Sequence, residues 1–335
     1  MRGRMDRFVV GSGRCGSTLL SRMLALHPDV LSIFEFFNGL DVARRFAPRL
    51  SALELEALFQ AEQPFVTAAL RRGYTAEEIV YPFDGPGVRY RLDDPLPWLC
   101  VAMAPRISSD PDSLYDAILD WASRQPERPA ADHYRALFEW LAARQGRKLW
   151  IERSGSSIDY LGPLHDQFPE ARFLHLHRDG REVALSMREH GIYRLPIAFL
   201  YDAPLAEGQR VSQLGGIDFE AAPDASDVIS QILAAPHEPA LFGRYWSDQI
   251  ERGAVASREI EASCYREIRF EALVAQPGRT LCEIAGFFEL APDADWIGRA
   301  EALVRGVPQR RFPSLAAGER AALESACRLG RSLLQ

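Results

Sequence analysis

RFVVGSGRCGSTLL, residues 7–20, passes from an apolar run through a glycine-rich turn into a second apolar segment. Phe8-Val9-Val10 is a short continuous apolar run of the kind that makes a strand buried on both faces. Gly11 to Gly16 forms the turn. From Ser17 onward, Leu19, Leu20, Met23, Leu24 and Leu26 recur at helical spacing. Strand, glycine loop and helix in that order aim backbone N–H groups and a helix N-terminus at an anion. The loop nearly spells GxxxxGK[ST]. Gly11 and Gly16 are correctly spaced and Thr18 takes the hydroxyl place, but Ser17 stands where the lysine belongs. That lysine reaches the terminal phosphates of a triphosphate; here the loop's cation is Arg14. The pattern predicts a nucleotide held by its 5′-phosphate whose next group is not a γ-phosphate. The plain alternative is a turn that merely packs a helix on a sheet, and such a turn needs only one small residue.

Downstream segments repeat the strand–helix alternation. RKLWIE (147–152) and ARFLHL (171–176) read as strands, followed by helices from Ser157 and from Asp179 to Arg188. Val30 to Phe34 and Glu267 to Phe270 add two more strands. Apolar strands alternating with helices predict an α/β fold: a P-loop-type parallel sheet with helices on both faces. Ligands of such sheets bind outside the carboxyl ends of the strands. The segments at Gly11, Arg153 and Arg178 all leave such an end. Between them, 38–147 reads as a mostly helical insertion, with helices over Leu50–Gln60, Thr75–Val80, Ser113–Arg124 and Ala131–Arg144. Ser113 and Asp132 are the expected caps. The proline-rich, aromatic stretch Pro82–Pro105 reads as a loop or lid. A second insertion, 192–236, reads as irregular, and the whole chain, 1–335, as one domain.

Composition bounds the function. With 335 residues and 47% hydrophobic content the chain has ample core material. Net charge is −7, without a basic block, so neither nucleic acid nor an anionic membrane is an expected partner. Among 39 lysines and arginines only Lys148 is a lysine, so anion contacts must come from planar arginine forks. Five cysteines, Cys15, Cys100, Cys264, Cys282 and Cys327, form no CxxC pair and read as reduced thiols. No signal-like or membrane-length apolar run occurs, and the expected setting is cytoplasmic.

GSGRCGSTLL resembles the 5′-phosphosulfate loop of sulfotransferases that use 3′-phosphoadenosine 5′-phosphosulfate (PAPS), and is most similar to tyrosylprotein sulfotransferases and related bacterial enzymes. A second, independent segment, HRDGREVALSM (177–187), resembles that family's 3′-phosphate site, in which a strand-end arginine is followed two helical turns later by a serine. The resemblance implies that Arg14, Cys15, Gly16, Ser17, Thr18 and Leu19 hold the 5′ side of PAPS, and that Arg178 and Ser186 hold its 3′-phosphate. Asp179 as a helix N-cap with Arg178 in a surface ion pair is the alternative reading. HPDVLSIFE (27–35) is similar to the tyrosylprotein pattern that ends in the catalytic glutamate, which implies Glu35 as general base; a strand-end carboxylate paired with an arginine is the alternative reading. Ser32-Ile33-Phe34 replace the family's polar residues there. IERSG (151–155) stands where the family has EKTP or NKDP, so Arg153 takes the place of a lysine that stabilises the transferring group, and Gly155 replaces proline. RFEAL (269–273) resembles the family's RYEDL turn, and one of Arg310 and Arg311 is a candidate phosphate contact.

The implied activity is transfer of a sulfuryl group from PAPS to a hydroxyl acceptor, with Glu35, Arg14 and Arg153 as the catalytic set and no metal. The acceptor stays open among small molecules, sugars, lipids and peptide tyrosine, and oligomeric state is unaddressed. A P-loop kinase and a catalytically silent nucleotide-binding module are the competing classes. His175 and His177 read as packing residues, because a metal site needs more ligands than two.

Overall fold

The computed structural model describes residues 5–75, 78–205, 208–224, 226–291 and 293–334. Its centre is a five-stranded, wholly parallel sheet: β1 Arg7–Val10, β2 Val30–Phe34, β3 Leu149–Arg153, β4 Arg172–His177 and β5 Tyr265–Arg269, in the order β2-β3-β1-β4-β5. The fold is α/β, as the alternation predicted. Alternate residues of β1, β3 and β4 enter opposite cores, whereas the edge strand β5 buries only Ile268. Phe8 and Val10 join Trp150 and Phe173 on one face; Val9 joins Ile151, Leu174 and Leu176 on the other. This is why the strands read as continuous apolar runs.

One face is covered by α1 (Ser17–Ala25), whose Leu20, Met23 and Leu24 point inward, together with helices near the C-terminus. The other is covered by α2 (Ala52–Phe59), α3 (Pro64–Arg71), α4 (Pro111–Ser123), α5 (Ala130–Arg144) and α6 (Leu161–Gln167). After β4, α7 (Gly180–Glu189) and α8 (Gly191–Leu200) follow in close succession. A minor antiparallel pair joins Arg49–Leu50 to Arg128–Pro129.

Several expectations need correction. Of the helix expected over Thr75–Val80, residues 76 and 77 lie outside the described residues and 78–80 are not helical. The local helix is α3, started by Pro64 at its first position, where a missing N–H is harmless. Helix α4 is capped by Asp110, which accepts from Ser113 N at 3.0 Å; Ser113 itself is inside. Helix α5 begins after Pro129 rather than at an Asp132 cap. The expected lid over Pro82–Pro105 ends in a wholly buried helical turn, Leu99–Met103, which is core. That run is apolar throughout, so it carries no amphipathic period. The expected irregular segment 192–236 contains most of α8, which continues through Pro196, and α9 (Val228–Ala234), capped by Asp227. Proline was the misleading signal there, since it usually ends a helix. Among the described residues no helix is long and apolar enough to cross a membrane.

Candidate active site

Four adjacent strands end on one side of the sheet, and their exit loops line one cavity of about 710 Å³. After β1 the chain takes left-handed backbone at Gly13 (φ 72°), Arg14 (φ 47°) and Gly16 (φ 94°). Glycine is required at two of these. A Cβ on Gly13 would lie 2.0 Å from the Tyr193 hydroxyl, and one on Gly16 would lie 2.1 Å from the Phe270 ring. Gly16 is the N-cap of α1 and brings no side chain to cap it, and Gly16, Ser17 and Thr18 at this helix start border the cavity. Arg14 donates from Nε to Ser186 Oγ at 3.2 Å and from Nη1 to Glu78 at 3.2 Å. The two loop segments singled out in the sequence therefore touch. Arg178 lines the same cavity, with its guanidinium 5.0 Å from the centre of the Phe270 ring.

Asp179 does cap α7, accepting from Arg181 N at 3.1 Å, but its ion pairs go to Arg181 and Arg310. Arg311 pairs with Glu182 and Glu189. Arg310 and Arg311 thus brace α7 and are absent from the cavity lining, as are Cys15 and Leu19. Cys15 lies fully buried in the core, where burial pushes its thiol up, so only its backbone can serve a ligand. Gly16, Ser17 and Thr18 do line the cavity.

Glu35 follows β2 in left-handed backbone (φ 55°) and is buried. Its N–H donates to Arg153 O at 2.7 Å and its carbonyl accepts from Trp98 Nε1 at 2.9 Å, which fixes the turn. Its carboxylate accepts from Arg153 Nη1, from Asn38 Nδ2 at 2.6 Å, and from Gly155 N at 3.0 Å to both oxygens. Gly155 supplies an N–H that proline lacks, so the departure from EKTP has a use here. Burial pushes the Glu35 carboxyl above its ordinary value, against the lowering charge of Arg153. Arg153 is itself buried, lies 3.9 Å over the Phe34 ring and donates from Nη2 to Thr18 Oγ1 at 3.2 Å. Its Nε is buried without a hydrogen-bond partner among the described residues.

Sequence reading missed four polar members. Asn38 could have been noticed as a lone amide in the apolar run FEFFNGL. Glu152 accepts from Ser154 Oγ at 2.6 Å, and burial pushes its carboxyl up to about 8 against that bond. Glu78 bridges Arg14 and His190, 3.1 Å from His190 Nε2. Burial pushes the Glu78 carboxyl up, but the His190 hydrogen bond and charge and the Arg14 charge outweigh it and bring it down to about 2. Nothing in the local sequence around either Glu78 or His190 marks them, because α8 and the 78 turn meet only in three dimensions. Among the described residues no group of three His, Cys, Asp or Glu side chains could hold a metal ion.

The arrangement is an α/β fold in which a glycine loop, two arginines and a buried carboxylate border one cavity. Residues 102–197 match the sulfotransferase family model, a span that includes Arg153, Arg178 and Ser186 but neither the first loop nor Glu35. The sulfotransferase domain of the Synechococcus PCC 7002 olefin synthase has the same fold, with TM-score 0.51 and 17% identity over 99% of this chain and 95% of that domain. The family match thus covers less than a third of the chain, and over its whole length the likeness to that domain is one of fold. The sulfotransferase domain of the curacin biosynthetic pathway aligns at TM-score 0.49 and 14% identity, covering 99% and 98% of the two chains. Mouse sulfotransferase SULT7A1, solved with PAP, aligns at 0.43 and 10%, covering 99% and 88%. No curated protein sequence matches the chain significantly.

Proposed function

We propose that the protein transfers a sulfuryl group from PAPS to a hydroxyl acceptor, giving a sulfate ester and adenosine 3′,5′-bisphosphate. The observation that carries this reading is the shared cavity: Arg14, the uncapped start of α1, Arg178 and Glu35 all line it. The residues fit such a nucleotide. Ser17, Thr18 and the α1 amides hold a 5′-phosphate, while Arg178 with Ser186 holds a 3′-phosphate. PAPS supplies a sulfuryl group on a phosphosulfate anhydride, a bond that breaks toward a stable phosphate.

The chain's own residues then have distinct tasks. Glu35 accepts the acceptor's hydroxyl proton, and its raised pKa suits a base working near neutral pH. Arg153 holds Glu35 in place, and its charge at the cavity wall offsets developing negative charge. Arg14 neutralises the leaving phosphate. Tyr193, set against Gly13 and Ser156, narrows the space beside the loop.

The test is product formation from PAPS with a mixed panel of alcohols, phenols, sugars and tyrosyl peptides. Release of adenosine 3′,5′-bisphosphate together with a sulfate ester, and none with ATP in place of PAPS, is the expected result. Magnesium-dependent ATP turnover with PAPS inert would replace this reading with a kinase.

A further inference from the structure

The acceptor side of the cavity is built unlike its nucleotide side. Its walls come mainly from α3 and α8, which pack together. From α3 come Phe65 and Val66; from α8 come Ile192, Tyr193, Pro196, Ile197 and Leu200. On α8 these positions repeat at i, i+1, i+4, i+5 and i+8 and form one face. The opposite face, with Leu195 and Ala198, is already buried in a core with Ala68 and Ala69 of α3. Arg194 apart, whose guanidinium is spent on the Arg188 and Leu233 carbonyls, helix α8 is thus apolar on both sides although one side borders an open cavity. A helix apolar all round expects apolar neighbours on every side.

The mouth carries the same character. Val42 and Leu200 line the cavity, yet they are 70% and 61% exposed, among the most exposed large apolar residues described. Exposed apolar surface continuous with a pocket marks a ligand-binding face. The charges that border this half are already committed. Glu78 holds Arg14 and His190, Asp159 pairs with Arg252, and Arg45 stacks 4.0 Å over Tyr160. The one polar lining group on the two helices, the Tyr193 hydroxyl, meets Ser156 Oγ at 3.3 Å.

We infer, resting on the sulfotransferase reading above, that the acceptor is an uncharged alcohol on a hydrocarbon body, lying along the cavity-lining face of α8 with its hydroxyl at Glu35. Tyr193 marks the inner end, beside the glycine loop, and Leu200 the outer end. At 1.5 Å per residue that wall is roughly 10 Å long, enough for about eight extended methylenes. An acidic tyrosyl peptide or a sugar would leave its polar groups unpaired against this wall.

The experiment is calorimetric binding of 1-butanol, 1-hexanol, 1-octanol and 1-decanol, with and without adenosine 3′,5′-bisphosphate, beside glucose and an acidic tyrosyl peptide. Affinity should rise roughly threefold to fourfold per methylene up to octanol and then level off. Leu200→Asp and Val42→Asp, both at exposed positions and so compatible with folding, should weaken octanol about tenfold while leaving butanol and the nucleotide unchanged. A flat series, tighter binding of the peptide or glucose, or octanol binding unaltered in both variants would overturn the inference. An alkanol ladder that persists in a protein indifferent to the bisphosphate would uphold the apolar chamber and refute the PAPS reading alone.

Discussion

Glu35 is the side chain on which the proposed transfer turns. It is buried in left-handed backbone and held by Arg153, Asn38 and the Gly155 N–H. Glu35→Gln keeps the shape and removes the base, so kcat should fall about 10²- to 10⁴-fold while nucleotide affinity stays unchanged. A wild-type rate in that variant would dismiss Glu35 from proton transfer. Because burial raises its pKa above 4.5, the base is lost to protonation at a higher pH than an ordinary glutamate. The acid limb of the kcat/KM profile should accordingly lie above the usual carboxylate range. Glu78 poses the opposite question. Its carboxylate, ionised far into acid, sits on Arg14 where an anionic ligand is expected. Glu78→Gln removes that competing charge and should tighten adenosine 3′,5′-bisphosphate severalfold; weaker binding would mean that Glu78 mainly holds Arg14 in position.

The strand-to-loop junctions are the elements that make the site, and they were also the most legible part of the sequence. Phe8 to Thr18 announced a strand, a glycine turn and a helix because three periodicities change within a few residues. The strands at 149–153 and 172–177 followed from the short apolar segments Leu149-Trp150-Ile151 and Phe173-Leu174. What stayed illegible was the traffic between elements distant in sequence. Helix α8 was hidden by Pro196, and the buried turn at Leu99–Met103 by its lack of period. The Glu78–His190 contact joins residues 112 positions apart, for which no local pattern exists. The β3 junction carries its own test. Glu152, buried beside Ser154, titrates near 8, so the folded chain holds a proton that the unfolded chain gives up near 4.5. Its stabilisation is complete below pH 4.5 and lost as pH rises through about 8. Thermal denaturation across that window should show stability declining with pH, and Glu152→Gln should flatten the decline. An unchanged slope would mean that Glu152 is not the group responsible.

At the scale of the whole molecule, the parallel sheet does one thing for function: it brings the exits of β1, β2, β3 and β4 to a common edge. Gly16, Glu35, Arg153 and Arg178, scattered over half the chain, become neighbours only there. Gly16→Ala would drive a Cβ into Phe270 at a φ of 94°. It should lower stability by about 1–3 kcal/mol and abolish nucleotide binding, as thermal shift would record. The most direct measurement is calorimetric titration of wild type and Arg178→Ala with adenosine 3′,5′-bisphosphate and with AMP, which differ by the 3′-phosphate alone. One nucleotide spanning Arg14 and Arg178 predicts that wild type prefers the bisphosphate by about 10- to 100-fold and that Arg178→Ala brings the two ligands to near parity. Equal affinities in wild type, or a preference that survives in Arg178→Ala, would contradict it.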